Sequence, residues 1–370
     1  MTLREIIEQE IRVRGPIPFS RYMELCLYQP SLGYYSRPAE QFGKAGDFYT
    51  SSDVHAVFGR LLARQFEEMW RALGSPIELE LLELGPGRGL FAQDVLDWSE
   101  KKFPEFFRAL RYSLFERSLT LQEKLRNNLA RHLASGKARI LGPAGDLRSA
   151  AAGAQIIFGN EFFDALPVEV LSARGSLRLD AQNGIFLETW APSSAEEMEF
   201  LDRYSVHPEE DERVEASLLA VRVMEELASA MTRGFVVIVD YGYTRDEQLA
   251  GRHRGTIMAY RKHSASANPY EAPGEQDITS HVNFTALAAS MDKFGVTTAK
   301  LRTQSQFLMG IGEATQFGDA FEDCRLPQER AKVELQLKHL VTPLGMGETF
   351  QVLVGRKGVA PVRLSGLSFG

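Results

Sequence analysis

An amide and two carboxylates stand among bulky apolar residues in the segment 160–167, Asn-Glu-Phe-Phe-Asp-Ala-Leu-Pro. The acids are Glu161 and Asp164, and the segment follows an apolar run, 156–159, that is typical of a buried strand. Because a charged group beside apolar surface costs desolvation free energy unless it has a partner, such clusters favour a functional site. A carboxylate here could bind a cationic group or accept a proton. Asp164 could instead cap a helix that begins near Ala165.

A second candidate site is the glycine-rich run Glu83-Leu84-Gly85-Pro86-Gly87-Arg88-Gly89, which overlaps the end of an apolar segment, 79–84. Glycine accepts strained backbone and lets a nucleotide approach closely, so the run predicts a strand, a turn and a helix that bind a nucleotide-type ligand. A dinucleotide fingerprint needs its third glycine where Leu90 stands, and the Gly-Lys-Ser/Thr ending of a P-loop is missing. The pattern acid-x-Gly-x-Gly-x-Gly resembles instead the S-adenosylmethionine (SAM) loop of class I methyltransferases. A purely structural turn is the alternative.

Acids also follow the next two predicted strands. Glu116 comes directly after the run 112–115, where a carboxylate can accept hydrogen bonds from both ribose hydroxyls of a nucleotide. Asp146 follows the run 138–141 and could accept from an adenine amino group. The alternatives are a solvated surface glutamate for the first and an aspartate in an ordinary turn for the second.

A parallel sheet is the element that would position these residues, because ligands bind at the carboxyl ends of its strands. Apolar runs alternate with helical patterns from residue 76 onward, which is typical of an α/β fold. The predicted strands are 79–84, 112–115, 138–141, 156–159, 235–239 and 349–355. The predicted helices of this part and just before it are 58–73, 90–101, 118–133 and 284–294.

Two segments interrupt the alternation. Residues 168–190 read as a β-hairpin around Asn183-Gly184. Residues 241–282 are polar and without sustained periodicity, and a loop of that length is usually functional or disordered. The predicted organisation is a helical extension closing over the cofactor (1–75), a core (76–357) with insertions at 168–215 and 241–282, and a tail (358–370).

Composition limits the classes of partner. The net charge of −7 over 370 residues argues against nucleic-acid binding. The two cysteines are far apart, so we predict neither a disulfide scaffold nor a metal site. No apolar stretch has the length of a membrane span, and residues 1–10 resemble neither a secretory signal nor a mitochondrial presequence. We therefore expect a cytoplasmic protein.

Further motifs extend over residues 15–355. Together with the glycine run and segment 160–167, they resemble the MidA-like family of class I SAM-dependent methyltransferases. The motifs are Gly15-Pro16-Ile17-Pro18-Phe19, Tyr28-x-Pro30-x-x-Gly33-Tyr34-Tyr35, Gly46-Asp47-Phe48-Tyr49-Thr50-Ser51, Asp240-Tyr241-Gly242, Gly255-Thr256 and Asp277-Ile278-Thr279-x-His281-Val282-Asn283-Phe284.

The resemblance implies a Rossmann-like seven-stranded α/β sheet whose last strand is antiparallel, with SAM as the cofactor. It also implies that segment 46–51 folds over the cofactor. Glu161, Asp164 and His281 become candidate catalytic residues on the substrate side, where Asn160 also lies. The implied cofactor-binding residues are Gly46, Thr50, Ser51, Glu83, Gly85, Gly87, Glu116, Asp146 and Asn160.

Mitochondrial members of that family are complex I assembly factors that methylate an arginine of a respiratory-chain subunit. The resemblance therefore implies a protein substrate of that kind. Glu161 would then clamp the guanidinium, and His281 would take the proton that methylation releases. The alternatives are a small-molecule methyltransferase and a non-catalytic assembly factor for respiratory complexes. The sequence leaves open the acceptor, the number of methyl groups and the oligomeric state, a homodimer included.

Overall fold

The computed structural model describes residues 1–37, 56–142, 145–261 and 264–369, which form two compact units. The first, the sheet unit, holds most of the predicted core strands. The second, the insertion unit, holds the N-terminal helices and most of both predicted insertions. Within the described residues, the sheet unit comprises 56–161, 225–241 and 291–369. The insertion unit comprises 1–37, 162–224 and 242–290.

The helices of the described residues are numbered in chain order. They are α1 (Leu3–Arg14), α2 (Phe19–Tyr28), α3 (Ala56–Ala72), α4 (Leu90–Lys102), α5 (Pro104–Ala109), α6 (Leu119–Asn128), α7 (Ala130–Ala134), α8 (Leu147–Gly153), α9 (Ala195–Tyr204), α10 (Leu218–Ala230), α11 (Arg245–Leu249), α12 (Phe284–Asp292), α13 (Gln304–Glu313), α14 (Gly318–Phe321) and α15 (Pro327–Val341). A short 3₁₀ helix covers Ser365–Leu367.

The strands are numbered in the same way. They are β1 (Ile17–Pro18), β2 (Leu79–Leu84), β3 (Leu110–Phe115), β4 (Ala138–Leu141), β5 (Ile156–Asn160), β6 (Glu169–Ser172), β7 (Gly175–Gln182), β8 (Ile185–Ala191), β9 (Val214–Ala216), β10 (Gly234–Tyr243), β11 (Met258–Arg261), β12 (Ser264–Ser266), β13 (Asp277–Thr279), β14 (Val282–Asn283), β15 (Thr297–Thr298), β16 (Arg302–Thr303) and β17 (Phe350–Lys357).

The sheet unit is built on a sheet with the strand order β4-β3-β2-β5-β10-β17-β15. Neighbours from β4 to β10 are parallel, whereas β17 is antiparallel to β10 and to β15. This confirms the predicted Rossmann-like sheet with an antiparallel last strand. A short strand, β16, also pairs with β17. Because the parallel strands end at one edge, the segments that follow β2, β3, β5 and β10 are brought to that edge.

Aromatic side chains fill the space between the sheet and two helices of the sheet unit. Phe66 of α3 and Phe91 of α4 both contact Phe158 of β5, with ring centroids 5.5 Å and 4.5 Å from it. All three side chains are buried. The apolar face predicted for α3 is therefore a core face, and the extension predicted for residues 1–75 is divided between the two units.

The helix predicted for residues 118–133 is wrong as a single element. It is two helices, α6 and α7, separated at Leu129. Two consecutive asparagines, at 127 and 128, precede the break, and asparagine is a poor helix former. The Asn128 side chain instead donates a hydrogen bond to the Arg88 carbonyl, at 2.9 Å, and the Leu129 side chain is fully buried.

The insertion unit has two antiparallel sheets of its own. One has the order β1-β7-β6-β9 with β8 beside β7, and the turn between β7 and β8 is the predicted Asn183-Gly184, with φ of +51° and +79°. The other, β12-β11-β13, lies in segment 241–282, which also contains α11. The expectation of an irregular loop there is wrong, because these strands are too short to show alternation in the sequence.

Asp319 forms a buried cluster of charged and polar groups that we expect to stabilise the sheet unit. Its carboxylate, 1% exposed, accepts from Arg64 Nη2 at 3.1 Å, from Arg64 Nε, and from Trp98 Nε1 at 3.0 Å. Asp319→Asn removes the charge that faces Arg64 and should lower the free energy of unfolding by about 2 kcal/mol. The control is Asp323→Asn, whose exposed carboxylate pairs with Arg60 and Lys101 at the surface and should contribute less than about 0.5 kcal/mol. Urea denaturation measures both losses, and equal losses would contradict the prediction.

None of the helices described above has both the length and the apolar character that crossing a membrane requires. The described residues also contain no group of three or more histidine, cysteine, aspartate or glutamate side chains arranged to hold a metal ion.

Candidate active site

The glycine loop lies between β2 and α4 of the sheet unit. Gly85, Gly87 and Gly89 have φ values of +61°, +55° and +77°, which glycine adopts without strain. The Gly85 N–H donates to the Phe115 carbonyl at 3.0 Å, so the loop turns toward the end of β3. A Cβ added to Gly89 would collide with Leu125, whereas one added to Gly87 would meet none of the described residues within 4 Å. Gly89 thus serves packing, and no described residue fills the space beside Gly87.

Glu83, the acid before the loop, is a strand residue with a buried side chain. It accepts a hydrogen bond from the Tyr112 hydroxyl at 2.8 Å. Burial raises the pKa of Glu83 to about 8, and the nearby Glu116 contributes to that rise. At neutral pH the carboxyl therefore holds a proton, and its assignment to the cofactor stays a prediction.

Glu116 joins the end of β3 to the glycine loop. Its Oε2 accepts from the Gly87 N–H at 3.3 Å, and its Oε1 accepts from the Ser118 N–H at 2.8 Å. Burial raises the pKa of Glu116 to about 7, although these two N–H groups act in the opposite direction. The acid predicted to bind ribose is therefore buried beside Gly87, and its pKa of about 7 means that it titrates near neutral pH.

Asp146 caps a helix. Its carboxylate is exposed at the start of α8 and accepts from the Arg148 N–H at 3.1 Å and from Ser149 Oγ at 2.5 Å. These bonds, the one from Ser149 first, lower the pKa of Asp146. Asp146 thus acts as a helix cap in a turn, and its contact with an adenine amino group remains a prediction.

Glu161 is held in an unusual backbone conformation immediately after β5. Its φ is +49°, in the left-handed region that residues other than glycine seldom occupy, and such strain concentrates at functional sites. Its N–H donates to the Val239 carbonyl at 3.0 Å, which ties it to the neighbouring β10. Asn160 Nδ2 donates to Glu161 Oε1 at 3.1 Å. The carboxylate is therefore fixed from both its backbone and its side chain.

Asn160 also carries an unsatisfied acceptor. Its Oδ1 atom is buried and has no hydrogen-bond partner within the part of the chain that the structure describes. A buried acceptor left in that state costs free energy, so it marks a position where a ligand N–H or O–H can bind.

The other two candidate catalytic residues, Asp164 and His281, lie together in the insertion unit. The Ser280 N–H, next to His281 in the chain, donates to the Asp164 carbonyl at 3.0 Å. The Asp164 side chain is buried, and residues 163–166 form a turn, so the helix of the alternative interpretation is absent from this described segment. Asp164 does not serve as a helix cap there.

A second buried acid, Asp277, acts with Asp164 on the electrostatics of one tyrosine, Tyr35. The Tyr35 hydroxyl donates to Asp277 Oδ1 at 2.8 Å. Burial, then Asp277, and further Asp164 raise the pKa of Tyr35 well above its usual value. The Tyr28 hydroxyl donates to the Ala165 carbonyl at 2.8 Å. The tyrosines of the N-terminal motif thus contact the acid-bearing segments of their own unit.

Three of the predicted cofactor-binding residues, Gly46, Thr50 and Ser51, lie outside the described residues. The remaining features of the sheet unit fit an adenosyl group carrying an amino acid. Glu116 can accept from ribose hydroxyls, Gly87 leaves room for the ligand, and Asn160 Oδ1 offers a free acceptor to an ammonium group.

Comparison with known proteins identifies the family. The family model of S-adenosyl-L-methionine-dependent methyltransferases named Methyltransf_28 matches residues 61–301, more than half of the chain. The chain belongs to this family. It is a SAM-dependent methyltransferase, and the MidA-like resemblance drawn from its motifs is confirmed.

Relatives similar over almost the whole chain carry a more specific name. A Drosophila melanogaster protein, the mitochondrial protein arginine methyltransferase NDUFAF7 homolog, is 27% identical over 98% of this chain and 86% of its own. The Homo sapiens mitochondrial protein arginine methyltransferase NDUFAF7 is also 27% identical, over 92% of this chain and 80% of its own.

A solved structure supports the cofactor. A Burkholderia thailandensis protein of the COG1565 superfamily, solved with bound S-adenosylhomocysteine, is 27% identical to this chain. The two match with a TM-score of 0.86, over 100% of this chain and 95% of that one. S-adenosylhomocysteine is what remains of SAM after methyl transfer, so SAM is the cofactor.

The position of Glu116 predicts that SAM affinity depends on pH. Its raised pKa, about 7, means that the carboxyl is increasingly neutral below pH 7, and a neutral carboxyl accepts the ribose hydroxyls less well. Between pH 7 and 5.5 the affinity should therefore fall by up to about tenfold per pH unit, with proton release on binding. Calorimetry in two buffers of different ionisation enthalpy measures both. Glu116→Gln should remove the dependence, and a constant wild-type affinity would contradict it.

Sequence reasoning missed two residues of the insertion unit, His253 and Glu215. His253 Nδ1 lies 3.1 Å from His281 Nδ1, and Glu215 accepts from both the N–H and the hydroxyl of Thr256. Thr256 belongs to the Gly255-Thr256 motif of the sequence analysis, so a search around that motif could have found His253. Glu215 stands in an acidic stretch and carries no such signal.

Proposed function

We propose that this methyltransferase transfers a methyl group to the side chain of an arginine in a protein. The observation that carries the proposal is the strained, hydrogen-bonded Glu161 at the carboxyl end of β5. A carboxylate fixed in this way suits bidentate recognition of a guanidinium. The names of the relatives described above point to the same acceptor. A respiratory-chain subunit is the protein class that the family resemblance implies.

The acceptor chemistry explains why a carboxylate is needed. SAM supplies a methyl group already activated on a sulfonium. An arginine guanidinium is protonated and delocalised, so its nitrogens are poor nucleophiles. Glu161 would bind two of its N–H groups and draw the positive charge toward them, which leaves electron density at the third nitrogen.

Methylation of a guanidinium releases one proton. The family resemblance implies His281 as the group that takes it, and burial lowers the pKa of His281 to about 4, so its ring is neutral.

The test is transfer of labelled methyl from SAM to the proteins of a cell lysate. We expect label in a discrete protein band, and acid hydrolysis of that band should yield methylarginine. Glu210→Gln, an exposed glutamate in an acidic surface stretch, is the matched control for Glu161→Gln and should label normally. Label found in the small-molecule fraction, or in a residue other than arginine, would overturn the proposed acceptor.

A further inference from the structure

Arg302 is a buried arginine at one edge of the large sheet of the sheet unit. It is the first residue of β16, and it is 8% exposed. No other arginine or lysine of the described residues is buried to that degree. Because a guanidinium stays protonated in a protein, Arg302 places a full positive charge inside the fold. Such a charge costs free energy unless an anion or several hydrogen bonds compensate it.

The described part of the chain supplies no such compensation for Arg302. Its guanidinium makes no hydrogen bond and no ion pair there, and its Nε atom is buried as well as unbonded. Nη1 and Nη2 are not among the buried unbonded atoms, so these are the nitrogens that solvent reaches. The terminal edge of the guanidinium, with four N–H groups, is therefore accessible to a ligand.

Arg64 shows what another arginine of the same unit receives from the fold. Its side chain is 19% exposed, and its Nε and Nη2 atoms both donate to the carboxylate of Asp319. Its guanidinium also lies over the ring of Phe103, 5.1 Å from the centroid. A carboxylate bound at two nitrogens is thus the compensation that Arg302 lacks.

The position of Arg302 in the sheet separates it from the candidate cofactor site. Arg302 pairs with Val352 of β17, which pairs with Val239 of β10. Val239 in turn pairs with Asn160 of β5, the residue that carries an unbonded Oδ1 atom. Three strand spacings of ~4.8 Å place the backbones of Asn160 and Arg302 about 14 Å apart. The two unbonded groups therefore belong to different sites at one level of the sheet.

The neighbours of Arg302 in the sheet and along the chain are apolar. Val352 is 1% exposed, and it belongs to the same hydrophobic core as the buried side chains of α13, which begins two residues after Arg302. Water and salt weaken an ion pair at the border of such a core less than one on the open surface. An anion at Arg302 would therefore be bound more strongly than an anion at an exposed arginine.

We propose that Arg302 is the binding site of a carboxylate ligand, which binds end-on to Nη1 and Nη2. The planar fork of a guanidinium matches the two oxygens of a carboxylate. One carboxylate balances the single charge of Arg302, whereas a phosphate dianion would keep one negative charge without a partner. The carboxylate comes either from a free small molecule or from an acidic side chain of a polypeptide. The site does not depend on which residue of a substrate accepts the methyl group.

Nitrogen NMR of ¹⁵N-arginine-labelled protein measures this binding directly. The Nε–H signal that is missing in Arg302→Lys identifies Arg302. Sodium acetate, titrated against sodium chloride at equal ionic strength, should shift this signal saturably, because a carboxylate at Nη1 and Nη2 changes the charge distribution of the whole guanidinium. The Arg64 signal, identified in the same way from Arg64→Lys, should not move, since Asp319 already occupies that guanidinium.

Urea denaturation tests the same site through stability. Arg302→Met replaces the uncompensated charge by an apolar side chain, so the midpoint in chloride should rise, whereas Arg64→Met should lower it because Asp319 loses its partner. Acetate should raise the midpoint of wild type more than that of Arg302→Met, by mass action. Arg302→Lys keeps the charge without the fork, so it should need about tenfold more acetate for the same shift.

Capped peptides distinguish the two sources of the carboxylate. If a capped Gly-Glu-Gly peptide binds at least about tenfold more tightly than acetate, and Gly-Gln-Gly does not bind, the ligand is an acidic side chain of a polypeptide. Equal or weaker binding of the glutamate peptide assigns the site to a free small carboxylate.

Three outcomes would overturn the carboxylate site. The first is an Arg302 signal that neither acetate nor the glutamate peptide shifts saturably. The second is a signal that inorganic phosphate shifts at lower concentration than acetate does. The third is an Arg302→Met midpoint below that of wild type in chloride, which would mean that the fold itself compensates the charge. None of these measurements uses methyl transfer, so they stand whether or not arginine is the acceptor.

Discussion

Glu161→Gln is expected to remove most methyl transfer while SAM binding is retained. The substitution keeps the size of the side chain and the hydrogen bond from Asn160 Nδ2, but it removes the negative charge that would face the guanidinium. We expect kcat to fall by about 10²- to 10³-fold, the range typical of losing a charged group that acts in the transition state. The SAM dissociation constant should change little, because the group proposed to contact ribose is Glu116.

Two measurements test the expected effect of Glu161→Gln. Calorimetric titration with S-adenosylhomocysteine establishes that the variant still binds the cofactor product, and single-turnover methyl transfer gives the chemical rate. The variant Glu210→Gln should match wild type in both. A single-turnover rate within about threefold of wild type would remove Glu161 from the chemistry and would leave its left-handed backbone without a functional explanation.

The elements that position the site were predictable where burial determines the residue type. β2 and β4 have the predicted bounds because leucine, isoleucine and alanine side chains mark both runs, although Glu80, Glu83 and Arg139 interrupt them. The glycine turn was predictable because positive φ at Gly85 and Gly87 selects a residue without a side chain. The acids at these strand ends could be located for the same reason, since each stands where an apolar run stops.

The conformations of the site residues could not be predicted in this way. The left-handed backbone of Glu161 has no local sequence signal, because glycine or asparagine would be expected at that φ. It is imposed by tertiary contacts, among them the hydrogen bond to the Val239 carbonyl of a strand far along the chain.

The histidine pair illustrates a second limit. His253 and His281 are separated by three short strands whose pairing brings them together, and no spacing rule connects residues 28 positions apart across such a sheet. The same short strands lack alternation, which is why segment 241–282 read as irregular. A motif can therefore single out His281 from resemblance alone, but its partner emerges only from the fold.

Gly87→Val is expected to abolish useful SAM binding while the chain remains folded. None of the described residues lies within 4 Å of the added Cβ, and we expect the valine to occupy space that the ligand needs. Loss of about 3 kcal/mol of binding free energy corresponds to more than 100-fold in the dissociation constant. Glu116, whose Oε2 accepts from the Gly87 N–H, would also lose its alignment with the loop.

Backbone strain is the effect that must be separated from this loss. A valine at φ of +55° is itself unfavourable and should lower the free energy of unfolding by about 1–3 kcal/mol. Gly136→Val is the matched control, because Gly136 has φ of +71° and equally open surroundings in the turn after α7, remote from the loop in sequence. Both variants should lose similar stability in urea, but only Gly87→Val should lose cofactor affinity. If both bind S-adenosylhomocysteine as tightly as wild type, the open space at Gly87 is not the cofactor site, and the glycine loop serves only to turn the chain.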